Sequence, residues 1–279
     1  MVGQQNLLNQ IDWMCQSGCF PRFSIITGEK GSQKKEVAQY IAKKLECFIF
    51  EAVDNKIDTI RGVIEQAYKT HSPIVYIIDN ADDMSIPARN ALLKVTEEPP
   101  NNAYFVMILD DVNNTLDTIR SRAVILTMEP YSKKQLKDYA QETYQDNHEI
   151  YTDLCSTPGQ IDLLYKMDAE KFYEYVAKVV DNIGDVSGAN SFKIAEKLAL
   201  KDEEDKYDLE MFWKACCKVF FKQAKSTLHK AVDSSAVIYV GEMNAVKVTS
   251  DSLKKLSIRG VNKQMLFDEW LLKVREVLR

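Results

Sequence analysis

The sequence predicts an α/β domain on a mostly parallel sheet, followed by regions that are helical throughout. Three observations carry that prediction. Short apolar strand-like runs alternate with helix-period stretches as far as about residue 128. The strand signal fades after Pro130, and from about residue 170 the pattern is almost wholly helical. Strands that alternate with helices favour parallel pairing, with helices covering both sheet faces.

Each element has its own signal. Strands are expected at Phe23–Ile26, Cys47–Phe50, Ile74–Ile78, Tyr104–Leu109 and Val124–Leu126. Ile57, Ile60, Ile64 and Ala67 recur at helical spacing, as do Ala88, Ala91, Leu92 and Val95. Ser85 reads as the N-cap of the second of these helices, Pro87 lies in its first turn, and Pro99-Pro100 force its end. Ser132 to Tyr144 reads as an amphipathic helix, and Thr157-Pro158-Gly159 as an N-cap with proline at the first helical position. Leu266, Trp270, Val274 and Leu278 form the last apolar stripe, with Leu271 alongside. Val237–Val240 is a short β-branched run inside the helical region, and it is not read as a strand.

Composition excludes several classes. The chain has 279 residues, enough for two or three domains, and its 46% hydrophobic and 28% charged content is that of an ordinary globular protein. No apolar run is long enough to span a bilayer, and MVGQQNLLNQ lacks the pattern of a signal peptide, so a cytoplasmic protein is expected. Six scattered cysteines without a CxxC pair suggest reduced thiols, not a disulfide framework or a zinc site. His71, His148 and His229 are far apart in sequence. A net charge of −5 argues against a strongly basic nucleic-acid binder; Lys34-Lys35 and Lys43-Lys44 could form local basic patches, but such pairs on a helix are usually solvated faces.

One loop has the outline of a phosphate-binding loop. In TGEKGSQKKEVA, residues 27–38, Gly28, Gly31 and Lys34 stand in P-loop register. Gln33 stands where the last glycine belongs, and Lys35 replaces the Ser or Thr whose hydroxyl would hold magnesium. A plain strand–turn–helix connection explains these residues as well. PIVYIIDNADDM, residues 73–84, matches a Walker B strand ending in Asp79, but the next residue, Asn80, cannot act as a base. The strand ending at Asp110-Asp111 puts carboxylates where a neutral sensor of the γ-phosphate would stand. Together these departures predict a nucleotide site that does not hydrolyse.

NALLKVTEEPPNN at 90–102 and DTIRSR at 117–122 resemble the AAA+ subunits of bacterial DNA polymerase III clamp loaders, which place the sliding clamp on primed DNA. VGQQNLL at the start, IDTIRGVIEQAY at 57–68 and TPGQI at 157–161 fit the same pattern, and LFDEWLLKVREVL fits the family's collar more loosely. The resemblance covers about residues 2–165 well. It implies an AAA+ domain at 1–128, a small helical lid at 129–168 and a helical collar for oligomerisation at 169–279. The degenerate loop resembles that of the family's delta-prime branch, the stationary, non-hydrolysing member of the ring. On that resemblance Arg122, beside Ser121, is an arginine finger presented in trans to a neighbour's ATP.

The implied partners are the gamma/tau ATPase subunits and delta, with sliding clamp and primed DNA reached through the complex. Arg89 and Lys94, on the helix after Walker B, are the implied DNA contacts, although a solvated helix face explains them too. Cofactors are expected to be none: ATP binding weak or absent at Gly28, Gly31, Lys34 and Asp79, no haem or flavin, and no zinc. Only Cys47 lies where many relatives carry a four-cysteine module. Ala123 replaces the cysteine that commonly follows the arginine, and Gln160 stands where active members have a sensing arginine. The alternatives are an active clamp-loader motor or other DNA-remodelling ATPase, and an AAA+-derived scaffold outside replication.

Overall fold

A computed structural model describes residues 3–145, 149–185, 193–198, 207–230, 236–256, 258 and 260–278. His148 lies outside the described residues. The chain forms two compact units, residues 1–162 and 163–279.

The first unit is an α/β layer structure. Its strands are β1 (Phe23–Thr27), β2 (Phe48–Glu51), β3 (Ile74–Ile78), β4 (Ala103–Leu109) and β5 (Val124–Thr127). They pair in the order β2-β3-β4-β1-β5, and every pair is parallel. The α/β expectation is borne out, with strand ends shifted by one residue at several places. The alternation of side chains explains the two-faced burial. Ile25, Tyr76, Ile78, Phe105 and Met107 enter one core, with Ile60 and Val63 of α3 (Ile57–Lys69) and Ala88, Leu92 and Val95 of α4 (Ile86–Glu97). Ile26, Val75, Ile77, Val106 and Ile108 enter the other, with Leu7 and Ile11 of α1 (Gln5–Gln16) and Val37 and Ile41 of α2 (Lys34–Lys44).

Local chemistry sets the helix ends. The Ser85 side chain accepts from Ala88 N, and proline follows in the first turn of α4. After α5 (Asp117–Arg120), Ser132 opens α6 (Lys133–Tyr144) with a reciprocal capping box to Gln135. Then come α7 (Glu149–Leu154) and α8 (Pro158–Lys166). Because all strands run the same way, the residues after β1, β3 and β4 emerge at one sheet edge, and β1 sits between β4 and β5, where strand order reverses. Open parallel sheets bind ligands at such a point.

The second unit is helical: α9 (Ala169–Asn182), α10 (Leu209–Lys230), α11 (Ala236–Leu256) and α12 (Lys263–Leu278). Val237–Val240 lies within α11. The predicted stripe on α12 is buried at Leu266, Trp270, Leu271 and Val274. Trp270 has no exposed surface; it packs against Phe212, Trp213 and Phe267, and its Nε1 donates to Thr249 Oγ1 at 2.9 Å. Burial in this core pushes the Cys216 thiol well above its ordinary value, which keeps it protonated and inert.

An ion triad ties α11 to α12. The ammonium groups of Lys255 and Lys273, 2.8 and 2.6 Å from Glu269 Oε1, hold that carboxyl down at about 2 from an ordinary 4.5. A depressed carboxyl stabilises the fold fully above its unfolded pKa, and the contribution fades as pH falls toward the folded value. Glu269→Gln is therefore expected to narrow the loss of thermal midpoint between pH 4.5 and 2 relative to wild type. Parallel melting curves for the two proteins across that range would contradict the assignment.

No helix among the described residues is long and apolar enough to cross a membrane. Among the described residues, no three His, Cys, Asp or Glu side chains cluster as metal ligands would.

Candidate functional site

The loop between β1 and α2 follows P-loop geometry at its glycines and departs from it at its lysine. Gly28 lies so close to β5 that a side-chain carbon there would come 2.6 Å from Met128 Cβ. Gly31 has φ +81°, and a side-chain carbon would meet Thr157 Oγ1 at 2.8 Å. Gln33 takes the left-handed backbone, φ 64° and ψ 34°, at the N-cap of α2. The bend that glycine adopts freely is kept by a residue with a β-carbon, at a steric cost of about 1–2 kcal/mol.

Lys34, the first residue of α2, is buried at 7% exposure. Its ammonium donates to Gly28 O at 2.7 Å, to Glu29 O at 3.1 Å and to Asp110 Oδ1 at 2.7 Å. Three oxygens of the protein surround the group that would otherwise meet a phosphate. Asp110 is held in turn by Asp82, whose Oδ2 accepts from the Asp110 amide at 2.7 Å and whose Oδ1 accepts from the Asp111 amide at 3.3 Å and Asn114 Nδ2 at 2.8 Å.

The carbonyls of the loop are occupied further along as well. Lys30 O accepts from Thr157 Oγ1 at 2.9 Å, Gly31 O from Gly159 N at 2.9 Å, and Ser32 O from the Tyr131 hydroxyl at 2.7 Å. Gln160 Nε2 donates to Glu29 Oε1 at 3.0 Å, and the Ser156 hydroxyl bonds the same carboxylate. A side-chain carbon on Gly159 would come 2.7 Å from Gly31 Cα, so the TPGQI segment rests directly on the loop.

The hydroxyl that would hold a metal is absent, with Lys35 in its place. Lys35 turns to β2 and pairs with Glu51 at 2.6 Å; that carboxylate raises the lysine's pKa, and the lysine lowers the carboxylate's. Asp79 Oδ1 accepts from the Asn80 amide at 2.8 Å, and Asn80 is left-handed at φ 49°. The cavity lined by Lys34, Asp79, Asn80, Asp110 and Gly159 is about 200 Å³. Small-molecule pockets usually run about 300–1,000 Å³. The set departs from a magnesium–triphosphate site at two places: no Ser or Thr stands at position 35, and the Lys34 ammonium is bonded to Asp110 and to two loop carbonyls.

Arg122 lies elsewhere. Its Nη1 donates to Thr118 O at 2.9 Å and Ser121 Oγ at 3.4 Å, and its Nη2 lies 2.9 Å from Glu97 Oε1. These partners come from α4, α5 and the turn after α5, not from the loop at 28–34. Ser121 Oγ itself donates to Thr118 O at 3.2 Å.

The implied DNA contacts part ways. Arg89 is buried at 6% exposure, and its Nη2 donates to Asp82 O at 2.8 Å, so the DNA-contact reading is corrected there. Its place was readable: Arg89, Leu92 and Thr96 recur at helical spacing on the buried face of α4. Lys94 is exposed, 5.4 Å above the Tyr68 ring, at the edge of a cavity of about 650 Å³ between α3 and α4. Sequence reasoning missed Thr157 and Tyr131 as partners of the loop and Asp82 as the partner of Asp110, because nothing in local spacing couples residues so far apart.

A family model described as "DNA polymerase III, delta subunit" matches residues 51–132. The gamma subunit of DNA polymerase III from Buchnera aphidicola (of Schizaphis graminum) is 27% identical over 169 residues, covering 50% of this chain and 47% of that one. The delta' subunit of Bacillus subtilis is 41% identical over 64 residues, 23% of this chain and 20% of its own. This chain thus spans about half the length, or less, of the curated relatives it matches. A crystal structure of a DNA polymerase III gamma subunit-related protein from Thermotoga maritima superposes with a TM-score of 0.51 at 18% identity, covering 98% of this chain and all of that one, which supports the fold. The matched family model and these relatives make the N-terminal part of the chain similar to clamp-loader subunits of bacterial DNA polymerase III.

Proposed function

We propose that this chain is a delta-prime-like, non-hydrolysing subunit of the replicative clamp loader, which helps load the sliding clamp onto primed DNA. The observation that carries the reading is the burial of Lys34 against Asp110 and two loop carbonyls. An ATPase needs that ammonium on its nucleotide's phosphates. Here a triphosphate would have to displace a carboxylate 2.7 Å away and then meet it as a like charge. Gln33, Lys35 and Asn80 point the same way.

On this reading the chain works in trans. Arg122, on a turn outside its own site, stabilises charge developing on the phosphate of a neighbouring gamma/tau-type ATPase subunit. Residues 1–128 act as the AAA+ domain, 129–168 as the lid and 169–279 as the collar through which it joins the motor and delta subunits in the cytoplasm. Lys94 alone remains as the DNA-contact candidate on α4. The test is hydrolysis by the purified chain with magnesium and ATP: none above background is expected, and turnover at ordinary AAA+ rates would make it a motor.

A further inference from the structure

The two most specific boxes of the sequence, NALLKVTEEPP and TIRSR, meet in one ion pair. Glu97 is the last residue of α4, and Arg122 follows the C-cap of α5. Their side chains meet at 2.9 Å, while Thr118 O takes the other arm of the guanidinium. A carboxylate in the last turn of a helix faces the negative end of the helix dipole, and Glu98 adds a second charge beside it. The Arg122 guanidinium offsets that repulsion, so each partner gives the other a reason for its position.

A guanidinium is planar and carries five N–H donors. Held by Glu97 on one arm and by Thr118 and Ser121 on the other, it keeps donors open for a further anion. A free arginine must give up rotamer freedom when it engages a phosphate, and one already ordered gives up less. We propose that Glu97 is a positioning residue for Arg122, orienting the guanidinium before the neighbour's nucleotide arrives. This rests on the reading of Arg122 as a finger in trans.

The experiment uses the loader reconstituted from this chain and its ATPase and delta subunits, with clamp and primed DNA. Glu97→Gln, Glu97→Asp, Arg122→Ala and the double variant Glu97→Gln/Arg122→Ala are compared by kcat and KM for ATP. Glu97→Gln is expected to lower kcat at the adjoining site roughly fivefold with KM nearly unchanged, the signature of lost transition-state stabilisation. Glu97→Asp, which keeps the charge, is expected to recover part of that loss. The double variant is expected to match Arg122→Ala alone, because Glu97 acts through Arg122. If Glu97→Gln equals or exceeds wild type while Arg122→Ala is slow, Glu97 has no positioning role and the finger stands. A further fall in the double variant would also overturn the proposal, and an unaffected Arg122→Ala would remove both readings together.

Discussion

Arg122→Ala, assembled into the loader, is expected to slow ATP hydrolysis at the adjoining subunit's site by roughly 10³-fold or more, the range of arginine fingers elsewhere. The side chain is 40% exposed and its partner Glu97 is 55% exposed, so the fold does not depend on the pair. Exposed ion pairs contribute about 0–1 kcal/mol. The variant is therefore expected to fold and assemble normally, which separates a trans catalytic role from a structural one. Single-turnover measurement at the adjoining site is the check. Unchanged clamp- and DNA-stimulated hydrolysis would reduce Arg122 to a surface residue tied to α4.

Trp270→Ala is expected to cost about 3–5 kcal/mol, the usual range for a large aromatic removed from a packed core. Trp270 is fully buried at the centre of a four-ring cluster with Phe212, Trp213 and Phe267, and the loss leaves a cavity between helices. Thr249 Oγ1 keeps its bond to Ala245 O at 2.7 Å, so the packing loss dominates. Domains have only about 5–15 kcal/mol to lose. The unfolding midpoint should drop by more than about 10 °C, and on the proposed collar role the variant should fail to enter the complex. Trp270→Phe, which keeps most of the ring volume, should lose much less. A small shift for the alanine variant would mean that this core does not hold the unit together.

Much of this was legible in the sequence, for identifiable reasons. Strands β1, β3 and β4 are buried on both faces, so they appear as unbroken apolar runs whose ends are marked by polar residues. Strand β2 is an edge strand with Phe48 and Ile49 exposed, and its predicted start falls one residue early. At the site, the departures at Gln33, Lys35 and Asn80 are legible because the motif assigns each position a chemical task. Asp110 was legible only as a charge hostile to phosphate. That it becomes the partner of Lys34 follows from the parallel pairing of β1 with β4, Thr27 beside Leu109, which no local pattern reveals. Arg89 was misplaced because the resemblance offered the whole helix after Walker B as a DNA-facing element, whereas Arg89 lies on the buried face of α4. Glu97 and Arg122 lay in separate boxes, and only the packing of α4 near α5 brings them together.

On the proposed function, the nucleotide site is closed by the protein's own groups, with Lys34 satisfied by Asp110 and by loop carbonyls. The most direct measurement is calorimetric titration of magnesium–ATP into the purified full chain, with phosphate release followed in the same samples. No saturable binding heat is expected in the range where AAA+ motors saturate, and no release above background. Saturable binding accompanied by turnover would contradict that reading, because Lys34 would then have to leave Asp110 for the nucleotide.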